Sequence, residues 1–448
     1  MSPPPPADAI ASSPRFAAGK ISTDRKTPVW NGANAARMAR KFASFAGPGY
    51  LIAVGYMDPG NWATDIAGGS KFGYALLPAI LLANFAAMFL QWLALRLGIA
   101  TGRDLAQACR DRYSPTVARL MWIICEIAIV ACDLAEVIGT AIALQLLFGL
   151  PLVFGVAVTS LDTLLLLGLQ KIGFRSIEAF VIVLTIVIGA CFSYEMLCCA
   201  PSASGIVASL IPGGSTFANP QALYLALAIF GATVMPHNLY LHSSIAQTRK
   251  IAPTVGARRE AIRYSTVDCI TALTFALLIN AAILILAAAA FHASGHTAVA
   301  EIQDAYKLLS PLMGAGAASI VFAVALLAAG QNSTLTGTMA GQIVMEGFLG
   351  LKMNPVLRRL VTRGLAIIPA AIVAVAAGER GTSQLLIFSQ VVLSLQLGFA
   401  VIPLVIFTSD KKLMGPFVNK PWVSRAGYVL GAGIVAINSW LVVETIIA

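Results

Sequence analysis

The chain has 448 residues, of which 58% are hydrophobic and only 11% charged, and its mean hydropathy is +0.82. Soluble domains carry about 25% charged residues, so this composition excludes a large soluble enzyme, a disordered scaffold and a collagen-like fibre. The net charge of +10 could suggest nucleic acid, but the basic residues fall between long apolar runs. There the anionic surface of a lipid bilayer is the better partner. The composition indicates a polytopic membrane protein.

The N-terminal segment differs in composition from the rest of the chain. Residues 1–42 begin MSPPPPADAIASSPRF and are typical of a flexible, proline-rich cytosolic tail. Prolines stand where a signal peptide would need an apolar core, so we expect no cleavage for secretion.

Eleven apolar segments follow, each compatible with the ~20 residues that a helix needs to cross a bilayer. These predicted spans, numbered 1 to 11 in chain order, cover residues 44–69, 73–99, 118–149, 151–170, 177–199, 220–247, 266–292, 309–345, 360–378, 383–408 and 425–446. Spans 3 and 8 are longer than a bilayer requires, so we expect them to project from it or to bend.

The positions of the basic residues predict the orientation. If the N terminus is cytoplasmic, 27 of the 30 Lys and Arg residues fall on the inner side. The outer side then holds only Lys71, Lys307 and Arg380. Because cytoplasmic loops carry the excess of basic residues, we predict a cytoplasmic N terminus and, with an odd number of spans, an external C terminus.

Spans 1 and 6 each contain a helix-breaking sequence near the middle, DPGN at 58–61 and MPHN at 235–238. Proline removes a backbone donor and glycine adds freedom, and non-helical backbone inside a bilayer is tolerated only where it lines a cavity or a site. Two ordinary proline kinks are the simpler interpretation. Paired interruptions five spans apart, however, are the signature of an inverted-repeat transporter. We predict repeat 1 over 43–199, repeat 2 over 220–408 and an added helix over 425–446.

The side chains at the two breaks favour a divalent transition-metal ion. Asp58 offers a carboxylate, Asn61 an amide oxygen and Met235 a thioether, and unwound backbone adds carbonyls such as those of Gly55 and Ala232. Oxygen ligands alone suit Ca²⁺ or Mg²⁺, whereas a soft sulfur shifts the preference toward first-row transition ions. The methionine could instead be a core filler, but its place directly before the breaking proline favours the ligand role. A lone carboxylate at the bilayer centre indicates function.

The two motifs also resemble a known family. With the flanking segments GATVMPHNLYLHSS at 231–244, DLAEVIGTAIAL at 133–144 and SQVVLSLQLGFAVIPL at 389–404, they are similar to the Nramp (natural resistance-associated macrophage protein) family of proton-coupled divalent metal transporters. The resemblance covers residues 40–446, and the length suits the bacterial manganese-importing branch. It implies an all-α membrane protein with the leucine-transporter-like fold, which imports Mn²⁺ or Fe²⁺ across the bacterial inner membrane by alternating access, driven by protons.

The resemblance also implies a ligand set, residue by residue. The implied metal ligands are Asp58, Asn61, the Ala232 carbonyl and Met235, joined in some conformations by Gln390 and the Gly55 carbonyl. One departure is Gly398, where family members often have proline, and we expect it to alter the flexibility of span 10 but not the ligands. The methionine argues against the magnesium-transporting branch of the superfamily.

Span 3 carries three carboxylates in an otherwise apolar run, Glu126, Asp133 and Glu136, at spacings that place them near one helical face. Arg359 and Arg363, near the inner end of span 9, can supply the cations that buried carboxylates need. The resemblance implies a proton route from the aspartate of the first break through Asp133 toward Glu136 and these arginines, with Glu126 as an accessory member.

Three further polar residues have predicted roles. The resemblance implies that His237 tunes the site and its proton traffic, although a buried histidine bonded to freed backbone carbonyls is an alternative and both roles can coexist. Asn280 and Thr233 are expected to line the permeation route.

Two other functions stay open at this point. A symporter of the same fold for an amino acid or another organic solute would not need Asp58, and it would give Met235 no reason to face the site. An intramembrane metalloenzyme would need an activated water and a general base, and the sequence offers no His/Glu cluster for them. We expect metal ions, protons and the lipid bilayer as partners, with no resident cofactor, no nucleic acid, no enzymatic activity and no obligate protein partner.

Overall fold

The computed structural model describes residues 42, 45–161, 168, 173–211, 219–299, 301–351, 353–376 and 378–447. Almost all of these residues are helical, and no β-strand occurs among them. Residues 1–41 of the predicted tail and most of the second half of span 4 lie outside the described residues.

Seventeen α-helices, labelled in chain order, make up the described chain. They are α1 (Pro48–Val54), α2 (Pro59–Phe72), α3 (Leu77–Thr101), α4 (Leu105–Arg112), α5 (Pro115–Phe148), α6 (Leu152–Val158), α7 (Phe174–Cys199), α8 (Ala203–Ser209), α9 (Pro220–Thr233), α10 (Pro236–Ile245), α11 (Val255–Ala287), α12 (Ile302–Met313), α13 (Ala318–Leu349), α14 (Pro355–Ala376), α15 (Gly378–Ser409), α16 (Lys411–Met414) and α17 (Pro421–Ile447). Short 3₁₀ turns and one π-helical turn, Ala288–His292, extend or connect them.

Span 1 is interrupted where the sequence predicts. The helix α1 leads into a 3₁₀ turn, Gly55–Met57, and Asp58 then adopts an extended conformation with φ −69° and ψ 163°. Pro59 occupies the first position of α2, where its missing N–H costs nothing. The Asp58 carboxylate caps α2 by accepting a hydrogen bond from the Asn61 amide. The predicted break is confirmed.

Span 6 has the matching interruption. The helix α9 ends at Thr233, and Val234 (ψ 73°) and Met235 (ψ 118°) leave the helical conformation before α10 begins at Pro236. Proline again starts the second half, because its fixed φ suits a first helical position and its ring would clash with a preceding turn. The chain therefore contains two broken helices, as predicted.

A helix overlaps each of the eleven predicted spans. In order they are α1 with α2, α3, α5, α6, α7, α9 with α10, α11, α13, α14, α15 and α17. By length and composition, eight helical segments among the described residues could cross a membrane, and one of them joins α2 to α3. The number of eleven spans and their grouping into two repeats stay predictions.

The predicted start of span 8, at residue 309, is wrong. The helix α12 ends at Met313, and Gly314 follows with φ 63°, a backbone conformation that glycine adopts at little cost. The next long helix, α13, begins only at Ala318. Residues 309–313 therefore belong to a separate helix, which buries Ile302 and Leu309 on one face.

The helix that contains the start of span 7, α11, begins eleven residues before the predicted span. Thr254 caps α11 by accepting a hydrogen bond from the Ala257 amide, so the helix begins at Val255 rather than near residue 266. Its first turns contain Arg258, Arg259 and Glu260, and a search for apolar runs cannot recognise charged turns that project from a span.

The helix α5 packs against α2, α6, α13, α14 and α15. Its closest approach to the first break is at Gly139, where a β-carbon would overlap the ring of Pro59. On the α13 side, a β-carbon on Gly330 would overlap the hydroxyl of Thr140. Small residues at these points let α5 lie directly against the broken helix on one side and against α13 on the other.

Candidate metal site

Oxygen atoms from both breaks converge on one side chain, Asn61. Its Nδ2 lies 2.6 Å from Asp58 Oδ1, 3.2 Å from the Ala232 carbonyl oxygen and 3.4 Å from the Gly55 carbonyl oxygen. Asp58 and Asn61 are fully buried. The partly positive amide therefore occupies the centre of three oxygens, and a group of oxygens arranged in this way can accept a cation.

The Asp58 carboxylate is only half satisfied. Its Oδ1 accepts hydrogen bonds from the Asn61 backbone N–H at 2.9 Å and from the Asn61 side chain. Its Oδ2 has no hydrogen-bond partner among the described residues. A buried carboxylate oxygen without a donor is costly, so this atom is available for a cation or a proton.

Met235 brings its sulfur to the first break. The side chain is fully buried and packs against Cys132 of α5. Its Sδ lies 3.8 Å from Asn238 Nδ2, and a β-carbon on Gly55 would come within 3.1 Å of the same sulfur. The thioether thus faces the 3₁₀ turn that carries the Gly55 carbonyl.

Gln390 and the two predicted lining residues meet the same site. A β-carbon on Gly60 would overlap the Gln390 amide, whose Oε1 has no hydrogen-bond partner in the described part of the chain. Thr233 Oγ1 lies 3.5 Å from Asn61 Oδ1, and Asn280 Nδ2 lies 3.4 Å from it. The structure therefore places the six predicted ligands and both lining residues around the two breaks.

Behind the breaks, α5 and α14 form a carboxylate–arginine cluster of Asp133, Glu136, Arg359 and Arg363. Asp133 Oδ1 accepts hydrogen bonds from Arg359 Nη1 at 2.9 Å and from Arg363 Nη1 at 2.7 Å. Glu136 Oε2 lies 3.9 Å from Arg363 Nη1, and its Oε1 accepts a bond from Ser333 at 2.9 Å. All four charged side chains are at most 3% exposed. Such charges are stable inside a membrane only when they are paired.

The carboxylate–arginine cluster is connected to the candidate metal site by packing rather than by a direct hydrogen bond. Among the described residues, no hydrogen bond connects the carboxylate of Asp58 to the carboxylate of Asp133. Cys132, which precedes Asp133, belongs to the same buried apolar cluster as Met235, and Pro59 lies against Gly139. The proton route from the first break to the cluster stays a prediction.

Glu126 does not join this cluster. It accepts hydrogen bonds from Arg358 Nη2 at 2.8 and 3.0 Å and from Trp122 Nε1 at 3.0 Å. The sequence pattern indicated Arg359 and Arg363, which lie four residues apart on one face of α14. Arg358 lies about 100° round the axis of α14 from Arg359. Its side chain therefore points elsewhere and pairs with a carboxylate on a different turn of α5.

A second polar chain begins at the first break. Gln91 Nε2 donates to the Tyr56 hydroxyl at 3.0 Å, and Gln91 Oε1 lies 2.9 Å from His242 Nδ1. The only sign of it in the sequence is a glutamine inside the apolar span 2. His237, in contrast, is buried with an Nδ1 that has no hydrogen-bond partner among the described residues, so backbone carbonyls do not satisfy this atom.

The sequence matches a known family over most of its length. The model of the family described as "Natural resistance-associated macrophage protein-like" matches residues 49–444. The chain is 59% identical over 407 residues to a protein of Nostoc sp. named "Divalent metal cation transporter MntH", covering 91% of this chain and 92% of that protein. A Listeria innocua protein of the same name is 58% identical over 411 residues, with 92% of each chain covered.

Solved structures agree with this assignment. A structure of the Eremococcus coleocola manganese transporter, in complex with an aromatic bis-isothiourea substituted compound, superposes with a TM-score of 0.84 at 40% identity, covering 95% of this chain and 90% of that one. Mhp1, a nucleobase-cation-symport-1 family transporter, superposes with a TM-score of 0.59 at 16% identity, covering 88% and 91%. That likeness concerns the fold alone and confirms the expected leucine-transporter-like fold. The chain belongs to the Nramp family of multi-pass membrane transporters.

Proposed function

We propose that this chain is a proton-coupled symporter that imports divalent transition-metal ions, Mn²⁺ and also Fe²⁺, by alternating access. One observation carries the proposal: Asp58 Oδ1 and the carbonyls of Gly55 and Ala232 converge on the Asn61 amide, with the Met235 sulfur beside them. The names of the relatives, divalent metal cation transporter and manganese transporter, support a metal ion as the cargo.

The ligand chemistry supports a transition-metal ion in particular. A rotation of the Asn61 amide by half a turn would replace the central N–H group with an oxygen. A cation would then meet carboxylate, amide and carbonyl oxygens together with the Met235 sulfur. One anionic ligand among neutral ones gives the moderate affinity from which an ion can leave again, and the thioether disfavours Ca²⁺ and Mg²⁺.

The carboxylate–arginine cluster supports the coupling to protons. A buried carboxylate has to hold either a cation or a proton, so a metal ion that binds Asp58 displaces a proton from it. Asp133 and Glu136 lie behind the site, and both approach the same Arg363 nitrogen. In this proposal they receive the proton and pass it toward the arginine end of the cluster, while His237 adjusts the site.

The charge distribution supports an orientation in the membrane. We place the chain in the bacterial inner membrane with its N terminus in the cytoplasm and its C terminus outside, because 27 of the 30 basic residues then face the cytoplasm. In this orientation, the proposed import moves the metal ion toward the basic side of the protein.

The two other functions have less support. An organic solute with a carboxylate would meet the Asp58 carboxylate at the break, and like charges in a buried site repel. An intramembrane metalloenzyme would need a cluster of strong ligands, and no group of three His, Cys, Asp or Glu placed to hold a metal ion occurs within the described residues.

Transport by the purified chain in sealed liposomes tests the proposal. We expect Mn²⁺ to enter faster when the outside is more acidic than the inside, with internal acidification that depends on the metal. Asp58→Asn serves as the inactive control. Mn²⁺ uptake that is indifferent to the pH gradient would contradict the coupling, and an absence of Mn²⁺ uptake by the intact protein would contradict the cargo.

A further inference from the structure

An apolar groove runs along the outer surface of the helical bundle between α5, α15 and α17. It has a volume of about 720 Å³. Its lining includes the apolar residues Leu120, Met121, Leu395, Gly398, Phe399 and Val435. Leu120 and Phe399 are 55% and 48% exposed, so the groove opens to the hydrocarbon of the surrounding bilayer.

Gly398 is one of the residues that line this groove. A β-carbon at this position would have only one heavy atom within 4 Å, Val435 Cγ2 at 3.0 Å. A larger side chain would therefore extend into the open groove. The absence of a side chain at position 398 thus adds to the space between α15 and α17.

One end of the groove lies among basic residues. Tyr113 lines this end, and its ring centre is 6.1 Å from that of Phe407, near the end of α15. Ser409 and Ser424 share a hydrogen bond of 2.8 Å, which places the start of α17 beside the same end. Exposed basic residues on these segments are Arg112, Lys411, Lys412, Lys420 and Arg425.

Acidic residues nearby do not pair with these five basic residues, because no ion pair within the described part of the chain involves any of them. Asp111 is paired with Arg103 and Arg110, and the Asp410 side chain accepts a hydrogen bond from the Lys412 backbone N–H. The groove therefore combines an apolar trough with a positively charged end.

We propose that this groove is a binding site for an anionic glycerophospholipid. One acyl chain lies in the trough beside Gly398, and the phosphate group lies at the basic end near Arg112 and Arg425. Basic residues near a lipid surface attract an anionic headgroup. A neutral lipid would gain the same burial of its acyl chain without this attraction. The proposal depends on insertion in a membrane and not on which ion is transported.

Native mass spectrometry of the full-length protein, purified in detergent, tests the site. The probes are palmitoyl-oleoyl phosphatidylglycerol and palmitoyl-oleoyl phosphatidylcholine in equal amounts. We expect one phosphatidylglycerol to be retained about tenfold better than phosphatidylcholine. Equal retention of the two lipids would overturn the proposal.

Groove-filling variants locate the bound lipid. Leu120→Trp and Gly398→Leu should each reduce retained phosphatidylglycerol about tenfold. The matched control is Leu82→Trp, since Leu82 is 64% exposed on α3, away from the groove. If Gly398→Leu does not fold, Leu120→Trp, at an already exposed position, decides. Retention in Leu120→Trp equal to that in Leu82→Trp would overturn the groove as the site.

Charge variants test the headgroup end. We expect Arg112→Gln combined with Arg425→Gln to reduce the preference for phosphatidylglycerol to about a tenth. The control combines Arg259→Gln with Arg263→Gln, two exposed residues of α11. An equal loss in both double variants would show a general surface effect and overturn the specific site. A dimer in the spectra that the groove variants abolish would assign the groove to a second copy and also overturn it.

Discussion

The two helix breaks and the carboxylate–arginine cluster both place polar groups inside the helical bundle, but they do so by opposite means. At the breaks, α2 and α10 begin directly after non-helical residues. Backbone carbonyls there lie near the carboxylate of Asp58, whose Oδ2 has no hydrogen-bond partner among the described residues. In the cluster, regular helices bring Asp133 within 2.7 and 2.9 Å of two arginines.

The difference between the breaks and the cluster reflects two requirements, one for binding a cation and one for burying charged side chains. A site that binds and releases a cation has to keep its ligands incompletely satisfied, because ligands fully paired with protein donors have nothing left for an ion. A group of charged side chains inside a membrane has to be almost neutral as a whole. Breaking a helix provides the first condition, and facing charged residues on intact helices provide the second.

We expect the largest loss of metal uptake from substitutions at the breaks. Asp58→Asn or Asn61→Ala removes a ligand that also caps or orients the restarted helix, so we expect metal uptake in liposomes to fall by at least about 100-fold. The variants should remain folded, which size-exclusion chromatography checks, because neither side chain fills the apolar core. Normal Mn²⁺ uptake by either variant would refute the metal site.

Within the cluster, Asp133→Asn should separate the two functions. We expect metal uptake to fall about tenfold, and metal-driven acidification to fall further, because the cluster loses a group that takes up protons. Simultaneous recording of metal influx and internal pH measures this. A buried arginine left without a partner can also destabilise the fold, so Asp133→Asn combined with Arg363→Gln restores the charge balance as a control. An unchanged ratio of protons to metal in the single variant would place the proton route elsewhere.

Met235→Ala sharpens the comparison by changing one soft ligand without touching charge. Water can fill the space of the lost thioether, and hard ions accept an oxygen donor readily. We expect discrimination of Mn²⁺ against Ca²⁺ and Mg²⁺ to fall about tenfold, equivalent to ~1.4 kcal/mol. Competition of each ion with Mn²⁺ uptake measures it in both proteins. Parallel losses for every ion, with unchanged ratios, would make Met235 a core residue only.

The smallest effect is expected at Glu126. Its side chain is 20% exposed and pairs with Arg358 apart from the cluster. In Glu126→Gln the amide oxygen still accepts from Arg358 and Trp122. We therefore expect uptake to fall no more than about fivefold, equivalent to the ~1 kcal/mol of a partly exposed ion pair, with the ratio of protons to metal unchanged. A change in the ratio of protons to metal in this variant would place Glu126 in the proton route.

The sequence predicts the breaks and the polar groups around them well because both depend on adjacent residues. Pro59 and Pro236 interrupt the helices locally, and the predicted ligands Asp58, Asn61 and Met235 lie within three residues of a proline. The meeting of the two breaks could be predicted only because paired breaks indicate an inverted repeat.

Other features depend on which helix faces meet, and no local pattern reports that. Arg358 and Arg359 are neighbours in sequence, yet they pair with carboxylates two turns apart on α5. The contact from Tyr56 through Gln91 to His242 joins three separate helical segments. The early start of α11 was missed because charged helical turns resemble a loop to any search based on hydropathy.

Calorimetric titration of the purified protein tests the central claim most directly, namely that the two breaks form a site selective for transition-metal ions. Mn²⁺ and Mg²⁺ are titrated separately into the intact protein and into Asp58→Asn. We predict that Mn²⁺ binds the intact protein at least about 100-fold more tightly than Mg²⁺ and that Asp58→Asn abolishes the Mn²⁺ signal. Equal affinity for the two ions, or unchanged Mn²⁺ binding in the variant, would contradict the claim.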